Sequence, residues 1–146
     1  TEVDGETYTS TGDDENALRV DGATVTLKDI TIEKTAGASS NTEDGDFYGQ
    51  NAGLLVLNGA TATITGATVN TSVTNGNGVF SYGEGTVVNI SDSTIRTTEN
   101  NSGGIQTTGG STMNATNLDV ETQGNSAAAI RSDRVAVRSM WMVVPM

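Results

Sequence analysis

The strongest constraint on this chain is a pattern that returns. Leu18-Arg-Val20-Asp-Gly22 is echoed by Leu55-Val-Leu57-Asn-Gly59 after 37 residues, and the same shift brings Val25, Leu27, Ile30 and Ile32 onto Ala62, Ile64, Ala67 and Val69. Past residue 55 the interval shortens, and Leu55, Phe80, Ile105 and Ile130 follow one another every 25 residues. Within a unit the apolar residues alternate with polar ones instead of recurring at three- and four-residue steps, which is the period of a strand. A unit this short cannot enclose a core alone. It must stack on copies of itself, so the period predicts a solenoid.

Composition agrees with a thin, repetitive core. Only 34% of the 146 residues are hydrophobic, which is lean for a compact two-layer domain but sufficient for a column to which each coil adds a few side chains. Eighteen glycines against one proline, with abundant Thr, Asn and Ser, favour closely spaced turns and short strands over helices. Seven basic against 18 acidic residues leave a net charge of −11, which disfavours nucleic acid and anionic membranes as partners. With neither Cys nor His, disulfides, thiolate or imidazole metal sites and His-based triads are excluded. No stretch approaches the roughly 18 apolar residues of a membrane span, no signal peptide is visible, and the sequence reads as a piece of a longer product.

Taken in order, Val3-Asp-Gly-Glu-Thr-Tyr8 matches Leu27–Ile32 by position, so the chain opens in mid-coil. The second coil reads as strands near 17–20, 24–27 and 30–33. An inserted loop between Thr35 and Gln50 accounts for its extra length, and one further residue is added in the fourth coil at Gly83-Glu-Gly85. Two inward ladders are expected: Leu18, Leu55, Phe80, Ile105 and Ile130, and Ile32, Val69, Ile95 and Val120. Gly53, Gly78, Gly103 and Ala128 form a rank of small residues suited to a tight corner between stacked coils. The expected fold is all-β, a right-handed parallel β-helix of about five coils over residues 1–134, followed by a non-repeat tail at 135–146.

The pattern Leu-x-Val-x-Gly-x-x-Val-x-Leu-x-x-Ile-x-Ile is complete at 18–32 and degraded at 55–69, 80–95 and 105–120. It resembles the right-handed parallel β-helix repeat proteins, the pectate-lyase-like solenoids, and especially the adhesin-like surface proteins of bacteria. The resemblance implies an extracellular or cell-surface location. It also implies a structural and interaction role, with carbohydrate or a host or cell-surface protein as partner and with open coil edges that permit end-to-end self-association. It does not by itself choose an activity, because the family also contains lyases and hydrolases. A concave wall with two converging carboxylates and one Arg or Lys would mark a carbohydrate-active enzyme. Arg19 and Arg131 are equivalent outward positions, but Val56, Ser81 and Gln106 are expected there on the intervening coils, so a non-catalytic segment is the favoured expectation.

Two groups could carry chemistry. Asp13, Asp14 and Glu15, with Glu43, Asp44 and Asp46, lie in turns that follow the third strand of successive coils. They suit Ca²⁺ as the one cofactor the sequence offers; the alternative is a solvated acidic loop. Phe47 and Tyr48 are the large apolar residues of the insertion, and either pin it to the coil wall or form a stacking platform for a sugar. Threonine ranks at 31, 68 and 94, and Thr24-x-Thr26 over Thr61-x-Thr63, are the kind of array that binds ice, but the plain reading is exposed β-strand. In the tail, Met140-Trp-Met-Val143 has few possible codons, and reading from the third base of the Met140 codon gives Val-Asp-Gly, the triplet at 3–5 and 20–22. An out-of-frame tail and an apolar end cap are the two readings of that segment.

Overall fold

The computed structural model describes residues 1–133, and the tail at 135–146, with both readings of it, lies outside them. The chain is a parallel β-solenoid of about five turns. The strands are β1 (Glu2–Asp4), β2 (Thr7–Ser10), β3 (Leu18–Asp21), β4 (Thr24–Lys28), β5 (Thr31–Lys34), β6 (Leu54–Leu57), β7 (Thr61–Thr65), β8 (Thr68–Thr71), β9 (Val79–Tyr82), β10 (Val87–Thr97), β11 (Ile105–Thr108), β12 (Thr112–Thr122) and β13 (Ile130–Asp133), with one helix, α1 (Thr42–Tyr48), in the insertion. Every pairing is parallel and joins one coil to the next. A five-stranded sheet runs β13-β11-β9-β6-β3, and an eight-stranded sheet runs β1-β4-β7-β10-β8-β5-β2 with β12 beside β10.

The third strands of the middle coils are not separate elements, because β10 and β12 each continue through a corner for 11 residues. The corner survives as a left-handed residue at Asp92 and Asn117, with Asp29 and Gly66 at the same step in the coils before. Asn and Asp tolerate that conformation, and the Asn117 amide donates to Asp92 Oδ1 at 2.6 Å, so this corner is tied coil to coil.

The ladder Ile32, Val69, Ile95 and Val120 is in register, as are Leu27, Ile64, Ile90 and Ala115. The other expected ladder is corrected. Leu18 pairs with Leu54, Leu54 with Val79, Val79 with Ile105 and Ile105 with Ile130. Leu55 and Phe80 instead share the outward rank of Arg19, Gln106 and Arg131, while Val56 and Ser81 line the interior. The slip occurs because Leu54-Leu55 and Val79-Phe80 are apolar at both positions, so alternation cannot say which member faces in. The first-strand shift is therefore 36 residues and returns to 37 after an added residue between β6 and β7. The glycine rank moves with it: Gly53, Gly78, Gly104 and Ala129 precede the inward residues. A Cβ on Gly78 would lie 2.5 Å from Ile95 Cγ2, and one on Gly104 2.3 Å from Val120 Cγ1, which is why the corner takes glycine.

A regular device closes the turn after the third strand. The hydroxyls of Thr71 and Thr97 donate to the carbonyls of Gly76 and Ser102 at 2.5 and 2.6 Å, and Thr122 donates likewise to Ala127. Each bridge spans five residues and encloses one left-handed residue, Asn75, Asn101 or Ser126.

A central column of buried side chains includes Val20, Leu27, Leu54, Ile64, Val79, Ile90, Ile105 and Met113. Ile90, only 2% exposed, sits between Ile64 and Ala115 with no polar group of its own. Ile90→Asp should cost several kcal/mol, about 3 or more for an unpaired buried charge. Urea or thermal unfolding is expected to show an unfolded or strongly destabilised chain, whereas an unchanged midpoint would place residue 90 outside the column.

Candidate functional site: a cleft beside the inserted helix

The insertion departs from the coil pattern by folding as α1. Asn41 caps its start, accepting from the Asp44 amide at 3.2 Å, and Gly49 ends it in the left-handed region at φ 77°, its amide returning to the Asp44 carbonyl. Gly49 also sits where a Cβ would be 2.5 Å from Leu55 Cδ1, so the helix end lies directly on the outer face of β6. Polar side chains of the wall fasten the rest. Asn75 donates to Asp46 Oδ1 at 2.9 Å, Asn77 to the Gly45 carbonyl at 3.4 Å, Gln106 to the Asp46 carbonyl at 2.6 Å and Thr108 to the Phe47 carbonyl at 2.5 Å. Beneath lies a second apolar cluster, Ala52, Leu55, Leu57 and Phe80 with Tyr82 against it. Covering the Leu55 and Phe80 side chains contributes about 2 kcal/mol each.

The expected acidic residues are put to separate uses. Asp13 Oδ1 accepts from the Ala38 amide and Asp14 Oδ1 from the Ser40 amide, both at 2.8 Å, so this turn grips the first leg of the insertion. Hydrogen bonds from the Ser40 hydroxyl and amide hold the Asp14 carboxyl below its ordinary 3.8. Glu15 Oε1 accepts from the Ser10 hydroxyl at 2.7 Å. Glu43 and Asp44 occupy the first turn of α1, and Asp46 holds Asn75. Among the described residues, no group of three or more acidic side chains is arranged to hold a metal ion.

At the centre of this clasp is Lys34, which the sequence reading missed. Its side chain is fully buried, and the ammonium donates to Ser10 Oγ at 3.0 Å and to the Gly12 carbonyl at 2.5 Å. Lys34 occupies the rank of Ser10 and of Thr71, Thr97 and Thr122, the threonines that close the regular turns. Where the insertion replaces the regular turn, a longer side chain bridges to the carbonyl of Gly12 in the coil before. A signal was available in phase: Lys34 follows Ile30 and Ile32 at period two, so it lies on the inward face.

The grip leaves a cleft of about 330 Å³ between the insertion and the wall. Leu55 and Leu57 come from β6, Tyr82 from β9, Asp44 and Tyr48 from α1, Gln50 from the loop after it, and Asp14, Asn16 and Arg19 from the acidic turn and β3. Tyr48 is 39% exposed and meets Tyr82 edge to face, with ring centroids 5.2 Å apart and planes at 81°. Asn16 is fixed by bonds to the Gly49 and Ala52 carbonyls at 2.9 and 2.8 Å, and Arg19 pairs with Asp21 at 3.5 Å. Of the two expected aromatics, Tyr48 lines the cleft, while Phe47 is half-buried and not among the lining residues. Tyr82 was missed because the one-residue slip assigned it to the wrong face. A second hollow, of about 350 Å³ and lined by Asp13, Asp14, Glu15, Asn16 and Arg19, shares three residues with the first.

Burial holds the Lys34 ammonium below its ordinary 10.5, partly offset by Glu15, Asp13 and Asp14. Because the folded chain gives up this proton before the unfolded one, the Lys34 contribution should rise with pH from its folded value up to 10.5. The stability difference between the natural chain and Lys34→Met, followed by urea unfolding across alkaline pH, should therefore shift in favour of the natural chain as pH rises. A difference independent of pH would show that Lys34 binds its proton equally in both states.

No family model matches the chain, no curated protein is significantly similar to it, and no solved structure matches it significantly.

Proposed function

We propose that the chain is a structural and interaction segment, an acidic β-solenoid module of a secreted or surface-exposed protein of the adhesin-like kind, which contacts saccharide at the cleft beside α1. One observation carries this reading. Among the described residues a regular solenoid is interrupted once by an insertion, and the insertion presents a half-exposed Tyr48 braced by Tyr82, with Asp14, Asp44, Asn16, Gln50 and Arg19 around it. An aromatic face with amide and carboxylate groups at its margin suits the apolar face and hydroxyl edge of a sugar ring.

An enzymatic reading draws on the same place, since Asp14, Asp44 and Arg19 line one cleft. Chemistry disfavours it. A general acid needs its pKa raised, whereas the Asp14 carboxyl is held down by Ser40. Arg19 is already engaged by the Asp21 carboxylate at 3.5 Å. A binding role is therefore the proposal, with no turnover of acidic or neutral polysaccharide expected. Reducing-end release that disappears in Asp44→Asn would overturn it.

Tyr48→Ala should weaken saccharide binding about tenfold, equivalent to about 1.4 kcal/mol, while circular dichroism keeps its β-sheet spectrum. Unchanged affinity for every saccharide bound by the natural chain would remove Tyr48 from the site.

A further inference from the structure

The sugar class follows from charge. Resting on the saccharide reading above, we propose that the cleft and its adjoining hollow take a glycan carrying free amino groups, with one ring on Tyr48 and the ammonium of a neighbouring unit beside the acidic turn. The two hollows share Asp14, Asn16 and Arg19, so a ligand longer than one ring passes from the aromatic end into the part lined by Asp13, Asp14 and Glu15. The two cations close to this path are already committed: Lys34 is buried on Ser10 and Gly12, and Arg19 pairs with Asp21. The Asp44 carboxylate makes no hydrogen bond or ion pair among the described residues and lines the cleft beside Tyr48. Asp13 accepts from one backbone amide, and Asp14 from the Ser40 hydroxyl and amide, which keep Asp14 ionised to lower pH.

A chain of uronates would bring like charge into this path on a protein that already carries −11. A neutral glycan would stack on Tyr48 without using the carboxylates. An amino sugar uses both, and because the carboxylates stay solvated its advantage is modest, about fivefold, and falls as salt screens it.

Calorimetric titration of the full chain with glucosamine oligomers, N-acetylglucosamine oligomers and galacturonate oligomers of equal length tests this. The free-amine oligomer should bind about fivefold more tightly than the acetylated one at low salt. That preference should shrink in Asp44→Asn and vanish in high salt, while Tyr48→Ala weakens both oligomers alike. Equal affinity for the two, or tighter binding of galacturonate, would overturn the amino-sugar assignment and leave the saccharide reading standing. Failure of all three to bind would overturn the saccharide reading and this inference with it. Binding of oligolysine that matches the amino sugar and ignores Tyr48→Ala would overturn the inference by assigning the site to charge alone.

Discussion

The hydrogen bonds between successive coils are the constraint on which the structure depends. Each strand bonds to its counterpart one coil away, so residues of the inner strands have fixed neighbours above and below, and a single residue gained or lost inverts the faces of all that follows in that strand. The chain confines its irregularities to corners for this reason. Asn58 and Gly59 precede β7, and Gly83 to Thr86 precede β10, both in left-handed turns that return the next strand to register. Where corners are tight, glycine stands because the coil above leaves no room for a Cβ.

The insertion shows what happens when one coil breaks the pattern. It removes the local turn that a threonine closes elsewhere, and the coil replaces that closure with Lys34 reaching to Gly12 and with Asp13 and Asp14 holding the incoming leg. The outer wall under α1 then ceases to be a solvent face. Leu55 and Phe80 take the rank held by Arg19, Gln106 and Arg131 in the other coils, which gives the helix an apolar seat and leaves the cleft at its margin. Core, clasp and cleft are consequences of one inserted segment on a strict stack.

Much of this was legible in the residues and some was not. The period, the parallel stack and the ladder through Ile32, Val69, Ile95 and Val120 followed from alternation, because there each apolar residue has polar neighbours. Leu54-Leu55 and Val79-Phe80 defeated the same argument, since a strand covered on both faces has no polar partner to mark the outside. The acidic turns were visible, but their use as a clasp was not, because it depends on backbone amides of the insertion that carry no side-chain signal. Tyr48 was legible as one of two aromatics in a polar loop, whereas Tyr82 and Lys34 needed the correct register.

The division of the two apolar pairs between the column and the helix seat is the claim from which the cleft follows. Methyl and aromatic nuclear Overhauser contacts test it directly. The account predicts that the Val79 methyls contact the methyls of both Leu54 and Ile105, and that the Leu55 methyls contact the Phe80 ring and the Gly49 Hα. Contacts of Leu55 or Phe80 with the Ile105 side chain, and none with Gly49, would contradict it.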